Sequence, residues 1–333
     1  MSTQTKTLAD SGELEFIRHI RRMMPGDGGM FIRSAGDDCL VAESFAEDHI
    51  LATMDTFVDG VHFTREYFTF DYIGRRCMAA SVSDIAAMSG IPAYSLASLS
   101  MPQEILFDDA VLLFHGLQKT AEYYGCPIAG GETTSTSGPV TVTVTVIGKV
   151  EDNRAVTRSG AYEGDGIYVT GTIGDAMAGL MAYKHNEKGF DTLKSKFVAP
   201  QALVSLSRAL TASYDITAMI DISDGLSTDL GHICEESCCG AEIYASSLPL
   251  SIEFLEFAKK HTLDSVDFAL SSGEEFELLF TSSDRNIKDN FILDGINISR
   301  IGTVTKRDQG MRLFNCENKV IPLIPKGYEH FKS

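Results

Sequence analysis

Six short acidic clusters are spread over most of this chain, and most of them abut glycine or another small residue where an apolar run ends. They are Gly36-Asp37-Asp38, the segment 55–63 with Asp55, Asp59 and His62, the segment 83–88 with Asp84, Gly130-Gly131-Glu132-Thr133-Thr134, Asp221-Ile222-Ser223-Asp224-Gly225 and Ser272-Gly273-Glu274-Glu275-Phe276-Glu277. A sheet that ends its strands at these points delivers the carboxylates to one rim, and open α/β sheets bind ligands at such rims. Carboxylates that converge without neutralisation repel and shift one another's pKa values. Something positive must sit among them, and oxygen-ligated Mg2+ carrying a polyphosphate meets that demand.

A chain of 333 residues is long for one core and reads as two domains. The net charge of −18 argues against nucleic acid or an anionic membrane surface as partner, because both require a positive footprint. If the substrate is an anion, metal ions must supply most of the local attraction. The seven cysteines are odd in number and include no Cys-x-x-Cys pair, which predicts a reducing, cytoplasmic setting. Cys234, Cys238 and Cys239 lack a second pair at zinc spacing and read as helix-packing residues. No apolar stretch approaches the length of a membrane span.

Residues 12–24 carry Leu14, Phe16, Ile17, Ile20 and Met24 at helical spacing. Residues 72–88 and 108–124 read as two further helices, the first rich in Ala, Ser and Met with Asp84 inside it. Residues 49–54 form a short buried-strand candidate ending at Asp55. The strongest strand spans 139–150, where Val140, Val142, Val144 and Val146 alternate with Thr141, Thr143 and Thr145. A charged, Gly-punctuated stretch at 151–165 marks a boundary between domains 1–152 and 153–333. Beyond it, 166–170, 217–222 and 276–280 read as strands, 174–185 as a helix, and Asp224-Gly225 as the entry to another helix reaching about Cys238. Strands and helices alternate in both halves, favouring an α/β or α+β fold.

Each cluster has a plain structural alternative. Asp55 and His62 fit an Asx turn with a packed histidine as well as a ligand loop. Asp84, among apolar neighbours, is expensive to bury unpaired unless it or Ser83 caps a helix. The Gly130-Gly131 pair suits an anion-binding turn beside a cation-binding Glu132, or a tight turn with a solvated acid. Asp221 and Asp224 flank a strand-to-helix junction whose free N–H groups favour phosphate, and one cap explains one of these acids but not both. Arg158 reads as a phosphate contact or a surface ion pair, and Asp175 as a helix cap. Gly-x-x-x-x-Gly-Lys-Ser/Thr, Gly-x-Gly-x-x-Gly and His-Glu-x-x-His are all absent, which excludes a P-loop kinase.

In order along the chain, these clusters resemble the thiamine-monophosphate kinases. Gly-Asp-Asp at 36–38, the segments 55–63 and 83–88, Gly-Gly-Glu-Thr-Thr at 130–134 and Thr-Arg-Ser-Gly-Ala at 157–161 carry the likeness. So do Val-Thr-Gly-Thr-Ile-Gly-Asp at 169–175, Ile-Asp-Ile-Ser-Asp-Gly-Leu at 220–226, the segment 272–280 and Gly-Tyr-Glu-His-Phe at 327–331. That family belongs to the superfamily of aminoimidazole ribonucleotide synthetase and selenophosphate synthetase. The resemblance implies two α/β domains and a homodimer whose N-terminal sheets form a barrel. It also implies transfer of the ATP γ-phosphoryl group to thiamine monophosphate, with several Mg2+ ions. Motif by motif, it implies Asp37, Thr53, Asp55, Asp84, Glu132, Asp221 and Asp224 as metal ligands. Gly131, Glu132, Arg158 and Ser223 become ATP contacts, and His62, Glu274 and Tyr328 thiamine-monophosphate contacts.

Two departures stand out. Glu132 replaces the usual Asp of Gly-Gly-Asp-Thr-Thr, and Ser272-Gly273-Glu274-Glu275-Phe276-Glu277 replaces Gly-Gly-Glu-Asp-Tyr-Glu. A selenophosphate synthetase is disfavoured because no reactive Cys opens a glycine-rich N-terminal loop, and a scaffold presenting a C-terminal Cys because Cys316 lies too far inside.

Overall fold

The structure is a computed structural model that describes residues 31–33, 37–42, 48–152, 154–317, 319–328 and 331; the helix expected over 12–24 lies outside them. Its first half contains β1 (Phe31–Arg33), β2 (Leu40–Ala42), β3 (Asp48–Val58), helix α1 (Phe70–Ala87), β4 (Ile91–Met101), helix α2 (Phe107–Tyr123), β5 (Ile128–Ser135) and β6 (Thr141–Glu151). The strands form one sheet in the order β1-β2-β3-β6-β4-β5, antiparallel except for the β4–β5 pair.

The Val/Thr alternation of β6 divides this sheet into two faces. Val142, Val144, Val146 and Val150 are fully buried beneath α1, against Ile73, Met78, Val82 and Ile85. A one-residue slip would turn all four valines outward at a cost of roughly 6 kcal/mol or more, so the register is fixed. On the other face the threonines are half-buried, and Ile50, Met54, Tyr94 and Leu96 are exposed.

The second half contains β7 (Gly166–Thr170), α3 (Asp175–Lys184), α4 (Asp191–Val198), α5 (Val204–Ser213), β8 (Ile216–Asp221), α6 (Leu226–Glu236), β9 (Cys239–Tyr244), α7 (Ile252–Lys260) and α8 (Ser265–Ser271). These are followed by β10 (Leu278–Ser282), β11 (Asn290–Leu293), β12 (Ile296–Lys306), β13 (Met311–Phe314) and β14 (Val320–Pro322). The sheet order is β14-β13-β9-β12-β7-β10-β8, with β11 paired to β12. Most neighbours are antiparallel, so the chain has a mixed α/β fold of two sheets rather than a doubly wound parallel one.

Several expectations need correction. β3 does not stop at Asp55 but pairs with β6 as far as Val58, so Asp55 lies inside a strand. Its side chain takes the inward side with Thr53, because the alternation of buried Leu51 and Phe57 sets that face toward α1. The Gly130-Gly131 segment is edge strand β5, not a turn, and lies parallel to β4. Gly131 serves close approach there: a Cβ would sit 1.8 Å from the Ala97 carbonyl oxygen. Asp84 is no cap, since α1 begins at Thr69, whose hydroxyl accepts from Tyr72 N. Neither Ser223 nor Asp224 caps α6, which starts from Gly225, and Asp175 follows the N-cap Gly174. The strand expected from Phe276 begins at Leu278.

Arg76 of α1 joins the two halves. Its guanidinium is buried between the rings of Phe68, Phe197 and Phe276, donates to the Phe197 carbonyl, and meets Glu274 Oε1 at 2.6 Å. α1 is itself held tightly against α2. A Cβ on Gly116 would stand 2.0 Å from the Asp71 carbonyl oxygen, and one on Gly74 2.1 Å from that of Leu113. Gly116→Ala is therefore expected to destabilise the protein by about 2 kcal/mol through overpacking. A melting temperature unchanged by this substitution would show that the helix crossing has room to spare.

Candidate functional site

Four segments distant in sequence meet where α1 packs against β8. Asp38 precedes β2, Asp84 lies on α1, Asp221 ends β8, and Arg158 comes from the connection between the halves. Carboxylate oxygens of Asp38, Asp84 and Asp221 all lie within 4.8 Å of one another. Arg158 Nη2 approaches Asp38 Oδ1 at 2.5 Å and its Nε Asp38 Oδ2 at 3.2 Å, while its backbone N donates to Asp37 Oδ1 at 2.9 Å.

Among the described residues one guanidinium stands among this many carboxylates, which leaves the cluster short of positive charge. Burial pushes Asp84 well above the usual carboxylate range, and the charges of Asp55, Asp221 and Asp38 push it further. Burial raises Asp55 too, with Asp38 adding to the effect. Burial and the neighbouring Asp38 lift Asp221 to about 7, against the opposing hydrogen bond from Ser83 Oγ at 2.6 Å. The Thr53 hydroxyl donates to Asp84. An all-oxygen set of carboxylates and one hydroxyl, crowded enough to favour protonation, is the donor chemistry that hard divalent cations select.

The substrate-side candidates reach this centre through the main chain. Glu274 N donates to Ser223 O at 2.7 Å, Phe276 N to Ile222 O at 2.9 Å, and Tyr328 N to Asp224 O at 3.0 Å. Lys326 N and Gly327 N donate to the hydroxyls of Ser227 and Thr228 in the first turn of α6. The Asp221 loop is thus held between the acidic 272–277 segment and the C-terminal 326–328 segment.

Of the expected metal ligands, the structure gathers Asp84 and Asp221 in the triad, with Thr53 bonded to it and Asp55 coupled to it by charge. Asp37 sits one residue away, accepting from the Arg158 amide. Asp38, not Asp37, completes the triad, although both stand in the same motif. Asp224 belongs to a second group with Asp229 and His232. Asp229 and His232 escaped the sequence reading; their i, i+3 spacing just after Asp224 was the available signal. Glu132 and Gly131 lie on exposed β5, outside both groups, with Glu132 Oε1 accepting from Thr133 N at 2.9 Å. His62 follows β3, its Nδ1 accepting from Val58 N at 3.1 Å, and it too lies outside both groups. Arg158 is bound to Asp38 as the chain stands.

The family model for AIR synthase related protein, N-terminal domain, matches residues 36–150, and the corresponding C-terminal domain matches 162–313. The chain is 33% identical over 306 residues to a thiamine-monophosphate kinase of Bacillus subtilis (strain 168), covering 89% of this chain and 93% of that relative. A thiamine-monophosphate kinase of Aquifex aeolicus (strain VF5) is 30% identical over 328 residues, covering 97% and 99%. Among solved structures, AaThiL complexed with AMPPCP and TMP is similar with a TM-score of 0.85 at 27% identity, covering 99% of this chain and 100% of that one.

The raised carboxyls make stability depend on pH. The folded state binds the Asp221 proton at about 7 against an ordinary value of 3.8, so the stability this contributes is complete below 3.8 and lost as pH rises through about 7. Glu275, which burial pushes to about 8, acts in the same direction. Without divalent cations, these two groups should make the melting temperature fall between about pH 4 and about pH 8, and Asp221→Asn should flatten the part of that fall below about pH 7. A melting temperature that rises across this range contradicts the assignment.

Proposed function

The chain belongs to the thiamine-monophosphate kinase family of AIR synthase related proteins, and from that premise we propose how its own residues carry out an Mg2+-dependent phosphoryl transfer. It is an ATP-dependent kinase that transfers the γ-phosphoryl group of ATP to thiamine monophosphate, giving thiamine diphosphate and ADP. The observation that carries the Mg2+ reading is the Asp38–Asp84–Asp221 triad, built from both halves of the chain with Arg158 as its neutralising partner.

The acceptor is a phosphate monoester, whose second ionisation lies near pH 6, so its oxygen is already nucleophilic at neutral pH. No general base is needed; the barrier is the approach of two anions held in line. Asp37, Asp38, Thr53, Asp55, Asp84, Asp221 and Asp224 would hold Mg2+; Glu132, assigned to it as well, lies outside both groups on exposed β5 and would have to move to join them. Bound there, Mg2+ would supply positive charge that offsets the donor and acceptor phosphates. Gly131, Glu132, Arg158 and Ser223 are assigned to ATP, which requires Arg158 to exchange Asp38 for phosphate oxygens. His62, Glu274 and Tyr328 are assigned to thiamine monophosphate, His62 as a positioning group.

Residues 1–152 serve as the ATP, metal and dimerisation domain and 153–333 as the C-terminal α/β domain. A homodimer closed through the N-terminal sheets accounts for the exposed Ile50, Met54, Tyr94 and Leu96 on one sheet face and for the outer edge of β5, which pairs with no further strand among the described residues. Light scattering is expected to give twice the chain mass of 36.2 kDa; a monomer at micromolar concentration refutes this closure. No helix among the described residues is long and apolar enough to cross a membrane. The seven free cysteines support a reducing, cytoplasmic setting.

Turnover with ATP and Mg2+ tests the assignment directly. Thiamine monophosphate should be converted to the diphosphate, and free thiamine, lacking an anionic acceptor, should react little. Asp84→Asn and Asp221→Asn should each lower kcat on the order of 100-fold without loss of fold. Glu132→Asp should keep substantial activity. Near-normal turnover of both Asn variants at limiting Mg2+ refutes the metal role of these carboxylates.

A further inference from the structure

Glu274 and Phe276 both hold left-handed backbone, with φ of 60° and 52°, on either side of Glu275. Non-glycine residues in that region cost on the order of 1 kcal/mol each, so two around a single residue persist only where the surroundings over-determine them. The side chain of Glu275 provides that constraint. It is buried, and its Oε1 accepts from Gly174 N at 2.8 Å, from Ser272 Oγ at 2.6 Å and from Ala176 N at 3.2 Å. Its Oε2 lies 3.2 Å from the same Ala176 amide.

These amides open α3, whose N-cap Gly174 has no side chain to satisfy them. Glu275 supplies the missing cap from a segment a hundred residues away. Because its side chain is committed to α3, the residues on either side turn the other way. Glu274 reaches Arg76 Nη2 at 2.6 Å, and the Phe276 ring lies 5.9 Å from the same guanidinium. Glu274 N and Phe276 N are also the donors that bind the Asp221 loop.

We propose that Glu275 is a positioning residue for the acceptor site: anchored on the first turn of α3 and on Ser272, it holds the 274–276 turn left-handed and thereby fixes the Glu274 carboxylate for thiamine monophosphate. The proposal rests on the assignment of Glu274 to the acceptor. Released from α3, the turn would relax toward ordinary backbone and carry Glu274 away from Arg76, leaving the buried guanidinium without its carboxylate. None of the residues assigned to ATP lies in this turn, which meets one of them, Ser223, through its backbone carbonyl, so the larger effect should fall on thiamine monophosphate.

Gln at position 275 is a near-isostere. Burial pushes the Glu275 pKa to about 8, so the group is largely uncharged at neutral pH, and a Gln oxygen can keep the bonds made by Oε1.

Steady-state kinetics on the full chain test the proposal. Glu275→Ala should raise the KM for thiamine monophosphate about tenfold while leaving the KM for ATP within about twofold. Glu275→Gln should restore the wild-type value to within about threefold, and Glu274→Ala/Glu275→Ala should be no worse than Glu274→Ala alone. Ser272→Ala removes one bond to Glu275 and should give the same one-sided effect in milder form, which keeps the test open if Glu275→Ala does not fold. An unchanged KM for thiamine monophosphate in Glu274→Ala refutes the assignment of Glu274 itself. A raised value in Glu274→Ala with an unchanged one in Glu275→Ala and Ser272→Ala refutes the positioning role alone, as does an equal rise in both KM values.

Discussion

Negative charge crowded where α1 meets β8 is the constraint around which this molecule is arranged. Asp38, Asp84 and Asp221 come from three separate stretches of the chain, and nothing in local chain geometry obliges them to meet. Their convergence costs free energy in the protein alone, as the raised values of Asp84 and Asp221 record. The surroundings limit that cost without cancelling it. Thr53 and Ser83 donate hydroxyls to Asp84 and Asp221, and Arg158 binds Asp38. A centre left short of positive charge is preorganised for a cationic ligand and for the anions that travel with it.

The acceptor side is fastened to this centre mainly through the main chain. Backbone hydrogen bonds join Ser223 to Glu274 and Asp224 to Tyr328, so a shift in the Asp221 loop is felt at the groups assigned to thiamine monophosphate. Arg76 adds a side-chain tie: it leaves α1, the helix that carries Asp84, and ends on Glu274. A buried arginine whose carboxylate partner is removed is strongly destabilising, so this tie also restricts relative motion of the two halves. Phosphoryl transfer between two anions needs that rigidity, because positioning and neutralisation are all that the chemistry asks of the protein.

Much of this could be read along the chain. The Val/Thr alternation of β6 and the helical spacing of α1 and α2 are local periodicities, and each appears within a residue or two of its expected place. The acids of the centre were legible as a set, because most mark the end of an apolar run. What stayed hidden depends on contacts between distant segments. Asp55 looked like a loop residue because its run of apolar side chains stops there, yet pairing with β6 carries the strand through it. Gly130-Gly131 looked like a turn because glycine usually permits one, whereas here the close approach of β4 requires it. Which of Asp37 and Asp38 faces Asp84 is decided by Arg158, and the anchoring of Glu275 by the amides of α3, and neither is encoded in local spacing.

Asp84 and Asp221 hold protons where they would otherwise hold cations. Calorimetric titration of the full chain with Mg2+ alone, near pH 6.5 in two buffers of different ionisation enthalpy, measures the protons exchanged on binding. Net proton release is expected, shrinking as pH is raised past the Asp221 value of about 7 and reduced in Asp221→Asn. Binding of Mg2+ with no proton release at pH 6.5, or with release unchanged in Asp221→Asn, would contradict it.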